Sequence, residues 1–409
     1  MVSSEPDPGS DDRGSSGDAS GFSLFEGGPL FRLLRWAHAL ENGRLYLRWG
    51  IAIALFAWLP LLILSAIEGH AFGRSTVISF LLDLEAHVRF LVALPLLVVA
   101  EVVTHQRSRH LFQQFKLRNL IPDSEAHRYE LAIASAVRLR NSPIAEGLIV
   151  VFVYAVGIQI IWRHYVMVGA ETWYSTAPAG GSELTFAGIW YGYVSLPIFQ
   201  FLLCRWYFRI FVWARYLWMV SRIRLTLIPT HPDRIGGLGF LSAMASAFMV
   251  LAVAHGALLA GWLSLRIVYL DAELAQFKFE IGATVAFMLC ITLGPLLLFS
   301  AQLASAKRRG LREYGALASQ YVKDFDAKWL QGKARPGELF IGSSDIQSLA
   351  DLDNSYSIVR SMRIIPIIRD DILRIVIATL LPIAPLLLTI MPVGELLERL
   401  MSIFFSAGL

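Results

Sequence analysis

Seven apolar runs, each near the length that crosses a hydrocarbon layer, decide what this chain can become. A transmembrane helix needs about 20 mostly apolar residues. The runs cover approximately Trp49–Ile67, Phe90–Thr104, Gly147–Trp162, Phe186–Cys204, Leu241–Leu265, Ile281–Ala301 and Ile375–Pro392. The second and third are short and are expected to extend into their polar flanks. The runs are continuously apolar, whereas barrel strands alternate, so helices are predicted. The composition agrees: 56% of the 409 residues are hydrophobic and only 17% are charged. Soluble chains carry roughly 25% charged residues, so a soluble globular protein, a disordered chain and a coiled coil are all excluded.

Positive charge orients the spans. Cytoplasmic loops of membrane proteins are rich in Lys and Arg. With the N-terminus in the cytosol, the segments on the cytosolic side hold 30 of the 36 Lys and Arg residues, and the opposite side holds 6. This predicts seven spans, an inner N-terminus and an outer C-terminus. The expected class is therefore an all-α polytopic membrane protein with interfacial helices and a small cytosolic helical hairpin. Thirty of the basic residues are Arg, a bias that suggests a bacterial cytoplasmic (inner) membrane.

The expected organisation follows from composition. Residues 1–21 form a Ser/Gly/Asp-rich tail read as disordered. Residues 22–48 include an amphipathic stretch, Leu30–Leu40, expected to lie on the membrane. Residues 49–301 make six spans. Residues 302–371 form the cytosolic hairpin, with helical spacing in Ala304–Leu330 and Asp345–Arg363. Residues 372–409 supply the seventh span and a short outer interfacial helix, Leu396–Phe405. Arg205–Arg224, where aromatic residues alternate with arginines, reads as an interfacial belt leaving the bilayer.

Familiar catalytic signatures are missing. The chain has no H-E-x-x-H, G-x-S-x-G, Walker A or C-x-x-C motif. No metal ligand set, cofactor motif or nucleic-acid-binding pattern is found either. The partners implied are the lipid bilayer, an anionic lipid or a cytosolic protein, and oligomers are open.

Several residues are candidates for function. His255 lies near the middle of the fifth span, where an ionisable group is expensive and tends to face a bundle interior. It is either a titrating or ligand-contacting group, or a neutral imidazole bonded to a neighbouring helix. Ala252, Gly256, Ala260 and Ser264 recur every four residues around it and permit close helix approach. Glu101, near the inner end of the second span, is a second proton or ion candidate, or a carboxylate paired with an arginine. Pro60, Pro95, Pro197, Pro295, Pro382 and Pro385 sit within spans. Gly294-Pro295 and Pro382-x-x-Pro385 are the expected helix breaks, a device transporters use at ion sites.

The loop before the fifth span contains His231, Asp233, Arg234, Gly236, Gly237 and Gly239. Its glycines permit tight turns at a helix N-terminus that favours anions. It would hold a lipid phosphate, an anionic ligand or the carboxylate of another loop, or act as a rigid turn. The outer segments are acidic, with Glu68, Asp83 and Glu85 beside His70 and His87 in one hairpin, which points to a cation-attracting vestibule or to ordinary solvated charges.

Three functions remain open at this stage. The first is an ion or small-solute permease or channel using His255, Glu101, Gly294 and Pro295. The second is a scaffold or sensor that binds a partner or anionic lipid through the hairpin and the Gly-rich loop. The third is a membrane enzyme on lipid-linked substrates, with His231, Asp233 and Arg234 as its polar cluster.

Overall fold

Apolar runs of this length satisfy their backbone only by winding into helices, and helices account for nearly every regular element. The structure, a computed structural model, describes residues 43–72, 78–162, 172–176, 183–334, 338–340 and 342–389. The tail 1–21, the stretch Leu30–Leu40 and the helix expected over Leu396–Phe405 lie outside the described residues.

Helix α1 is Gly43–Ile67. Helix α2 runs Leu84–Leu117. Helix α3 is Ala126–Arg140, and α4 starts at Pro143 and continues as a π-helical stretch, Val153–Trp162. Helix α5 is Phe186–Ser221, α6 is Leu238–Leu270 and α7 is Leu274–Leu330. Helix α8 is Ser344–Ser361. Helix α9 is Arg369–Leu380, extended by a 3₁₀ stretch, Leu381–Thr389. Strands β1 (Ser175–Thr176) and β2 (Glu183–Leu184) pair antiparallel with Ser175 opposite Leu184.

Six of these helices are long and apolar enough to cross a membrane. A seventh span exists if α3 and α4, which meet at a 45° bend, count as one. Pro143 and the Ser142 side chain make that bend. Ser142 Oγ accepts from Ala145 N at 3.3 Å, so α4 starts afresh rather than continuing α3.

Five of the prolines are absorbed by a change of winding. Proline removes the N–H that would bond the carbonyl four residues back. Pro95 follows a π-helical stretch at Val88–Ala93, and Pro197 follows one at Tyr191–Ser195. The two expected breaks take the tighter form. Gly294–Phe299 and Leu381–Thr389 are 3₁₀ helices, and the second is long for that type.

Helix α6 is central, packing on α2, α7 and α9. Its small residues explain the closeness. A Cβ on Gly256 would overlap the Thr379 carbonyl of α9 and come within 3.2 Å of Pro382. A Cβ on Gly261 would sit 3.2 Å from Val88 Cβ.

The stretch expected as an interfacial belt proves different. Arg205, Trp206, Arg209, Trp213 and Tyr216 of α5 are buried inside protein. Helices α2 and α3 wrap this part of α5. Tyr216 donates to Tyr129 Oη (3.1 Å), and Tyr129 donates to the Phe112 carbonyl (3.0 Å). Periodicity alone does not distinguish aromatic rings that fill a core from rings that face lipid headgroups. Only the rim of the stretch, where Arg222 stacks on the exposed Trp218, keeps the belt character.

Candidate functional site

Helices α5 and α6 carry the buried Arg205, Arg209 and His255. His255 projects from the middle of α6 and is 8% exposed. Its Nδ1 lies 2.8 Å from the Leu251 carbonyl, which only accepts, so Nδ1 carries the proton. Its Nε2 lies 2.8 Å from Tyr207 Oη of α5 and, in the neutral ring, accepts from it. Phe287 of α7 packs near both rings, with centroids 5.9 and 6.1 Å away. On the adjacent side, Gly256 touches the Pro382 region of α9. The imidazole is thus bonded at both nitrogens where α5, α6, α7 and the proline-altered part of α9 converge.

Glu101 belongs to a different cluster. Its Oε1 is 2.8 Å from Arg205 Nη1 and 3.0 Å from Arg209 Nη1. Glu146 of α4 approaches Arg205 Nε at 3.7 Å. Two carboxylates and two guanidiniums therefore neutralise each other, with the arginines almost wholly buried. Glu101 and His255 were expected to act together. Arg205 and Arg209 share one face of α5, and Tyr207, two residues from Arg205, points roughly 200° away. The two groups use opposite sides of α5.

A cavity of about 520 Å³ lies between α5 and α6, floored by the start of α2 and by the β1 segment. Asp83, Glu85, Arg89, Tyr174, Tyr191, Gln200, Trp262 and Arg266 supply its polar and aromatic wall. Arg89 bonds both Glu85 and Tyr191 Oη. Asp83 Oδ1 accepts from Ala86 N (3.0 Å) and Oδ2 from Trp173 Nε1 (2.9 Å). Residues seven apart on a helix share a face and stand about 10 Å apart along the axis. Gln200 and Trp262 line the cavity, and Tyr207 and His255 are each seven residues from one of them. The His255–Tyr207 pair therefore lies on the cavity faces of α5 and α6, two turns deeper.

Glu68 and His87 of that end have structural partners. Glu68 accepts from Phe186 N (2.7 Å) and Ala187 N (3.3 Å), capping α5. His87 Nδ1 accepts from Trp58 Nε1 at 2.9 Å. No group of three His, Cys, Asp or Glu able to hold a metal occurs among the described residues.

The Gly-rich loop is closed on itself. Asp233 Oδ1 accepts from Ile235 N (2.8 Å) and Gly237 N (3.1 Å), and Oδ2 accepts from Gly239 N (2.9 Å). The amides expected to receive an external anion thus bind the loop's own carboxylate. Burial pushes the Asp233 carboxyl up, but the three amide donors and His231 outweigh it, leaving it below the ordinary value. His231 Nδ1 lies 2.9 Å from Asp233 Oδ1, so these two residues of the proposed polar cluster pair with each other. Arg234, Gly236 and Gly237 adopt positive φ of 57°, 65° and 98°. The Arg234 side chain is exposed, while its carbonyl accepts from Arg363 N at 2.7 Å. Arg118 at the end of α2 donates to the Gly237 carbonyl at 3.0 Å. Gly310 of α7 lets Pro229 come close, since a Cβ there would lie 2.6 Å from Pro229 Cβ. The loop therefore ties the ends of α2 and α8 and the middle of α7 together.

Gly294 and Pro295 stand in the 3₁₀ stretch of α7, which packs on α5. Sequence reasoning missed Arg205 and Arg209 as partners of Glu101, Glu146 as a second carboxylate on Arg205, Tyr207 as partner of His255, and the Glu85–Arg89–Tyr191 set. The i, i+4 spacing of Arg205 and Arg209 was a usable signal for the first. The same spacing marks Glu85 and Arg89, whereas Tyr191 and Tyr207 lie on a different helix from their partners and nothing local marks them. Comparison with protein-family models, with curated proteins and with solved structures finds no match.

Proposed function

We propose that the chain is a seven-span integral membrane protein that moves a small solute or ion, with α5 and α6 forming its pathway. The charge distribution supports a cytosolic N-terminus, with the Asp233 loop and α8 inside and the β1–β2 hairpin outside. The Arg-rich composition supports a bacterial cytoplasmic membrane. One observation carries the transport reading. The 520 Å³ cavity opens between the two helices whose same faces hold, two turns deeper, the His255–Tyr207 pair beside a proline-altered helix. A titratable group buried under a cavity, next to irregular winding, is the arrangement transporters use.

The test is flux in proteoliposomes, screening protons, monovalent cations and small organic solutes, with wild type beside His255→Ala. The expected result is a flux that the variant loses while remaining monodisperse and helical. Equal flux in the two proteins would remove His255 from the pathway.

A second reading, a partner-binding scaffold, draws on the exposed apolar residues Leu317, Leu330, Leu339 and Ile346 along α7, α8 and the turn between them. It predicts that a partner co-purifies with the intact chain and is lost when residues 311–344 are deleted.

A further inference from the structure

We infer that the cavity between α5 and α6 binds a small zwitterion with an apolar body, of the α-amino-acid class, an assignment that rests on the transport reading for its physiological role and on the cavity's own chemistry for everything else. The charges of the lining lead to this class. Asp83, Glu85, Arg89 and Arg266 sum to zero, so neither a net anion nor a net cation is favoured by the site as a whole. They are also segregated. Asp83, Glu85 and Arg89 meet at the start of α2 and leave that corner with one net negative charge. Asp83 is held there by Trp173 Nε1 and Ala86 N. Tyr174 and Tyr191, stacked at 5.8 Å, add two aromatic faces to the same corner. Carboxylates beside aromatic faces suit an ammonium group.

Arg266 forms the opposite pole. Its guanidinium lies over the Trp262 ring at 4.1 Å, and it has no carboxylate partner among the described residues. A guanidinium held flat by an indole is poised for two-point binding of a carboxylate. The two poles are set apart along α6. Gly261 abuts Glu85, with a Cβ there falling 3.3 Å from Glu85 Cα, and Arg266 is five residues further on. Five residues rise about 7.5 Å, which leaves room for a ligand's two charges and their hydrogen bonds.

The space between the poles is apolar, walled by Leu196, Phe199, Leu203 and Leu265. Gln200 also lines this wall, with its Oε1 turned onto Gly157 of α4, where a Cβ would overlap it. The volume of about 520 Å³ falls within the range of roughly 300–1,000 Å³ typical of small-molecule sites.

The experiment measures saturable binding of radiolabelled leucine, methionine and phenylalanine to the full-length protein in neutral detergent. Leucinamide, which keeps only the cation, and 4-methyl-2-oxopentanoate, which keeps only the anion, serve as competitors. At least one amino acid is expected to bind saturably, with both single-charge analogues weaker by about tenfold or more. Arg266→Gln, at an exposed rim position, is expected to weaken that binding about tenfold while leaving competition by leucinamide unchanged. Equal binding of the oxoacid would overturn the assignment in favour of an amphipathic anion. No saturable binding of any of the three by folded wild type would also overturn it. Binding without flux would retain the site and sink transport; a His255-dependent ion flux without binding would do the reverse.

Discussion

Replacing Asp233 with Ala tests whether the Gly-rich loop is held by its own carboxylate. The side chain satisfies three backbone N–H groups, at Ile235, Gly237 and Gly239, and lies 4.0 Å from Arg118. A hydrogen bond contributes about 1 kcal/mol net, and more when one partner is charged. The carboxylate is 17% exposed, so water partly replaces it and the lower figure applies. Three bonds give a loss of about 3 kcal/mol, close to a hundredfold shift in the unfolding equilibrium. Asp233→Asn keeps an oxygen for Ile235 and Gly237 and turns an NH₂ toward Gly239, so its loss should be about a third as large. The assay is SDS-titrated unfolding of the full-length protein in mixed micelles, followed by tryptophan fluorescence. Acidification provides a second arm. The Asp233 carboxyl lies below its ordinary value of 3.8 in the folded protein. Its contribution is therefore complete above that value and is lost as pH falls through the lower, folded one. Wild type should show this acid-dependent loss, and Asp233→Ala should lack it. Unchanged unfolding of Asp233→Ala would refute the reasoning. Equal damage from Asn and Ala would assign the effect to the charge facing Arg118 instead.

Two further outcomes follow from the packing inside the bundle. Glu101→Ala leaves Arg205 and Arg209 buried with only Glu146 between them, and should destabilise the fold by about 3–5 kcal/mol in the same titration; a loss near zero would mean that water fills the cluster. Gly256→Ala places a methyl group onto the Thr379 carbonyl, and should cost about 1–3 kcal/mol, whereas the Gly282→Ala control, with open space around it, should be neutral.

The helical class and the position of each apolar segment were legible because lipid-length runs leave the backbone one solution. The centrality of α6 was legible from the four-residue spacing of Ala252, Gly256, Ala260 and Ser264. Pairings between helices were not. His255 gives no sign in sequence that its partner is Tyr207, because 48 residues separate them and neither spacing nor composition encodes rotation about a helix axis. Glu101 was read as an ion candidate or as a carboxylate paired with an arginine; it is paired, but with Arg205 and Arg209 of α5, which no spacing around Glu101 points to. The Gly-rich loop shows a subtler failure. Its amides were rightly seen as an anion site, but the anion is Asp233, within the loop itself. The aromatic stretch after residue 205 went astray because the same residue types serve a bilayer interface and a protein core.

The knot around Asp233 also limits how the molecule can deform. Its residues open the first turn of α6 and grip the ends of α2 and α8, so the base of α6 cannot pivot without pulling on the bond between Arg363 N and the Arg234 carbonyl. Flexure is displaced to segments whose backbone bonding is already rewound, among them Gly294–Phe299 and Leu381–Thr389. Both lie deeper in the bundle than the knot and border the helices around His255. The π-helical stretches that carry Arg89, Gly157 and Tyr191 extend the rewound region to the cavity wall, so strain applied at the cavity would be taken up there and at the level of His255 before it reached α8.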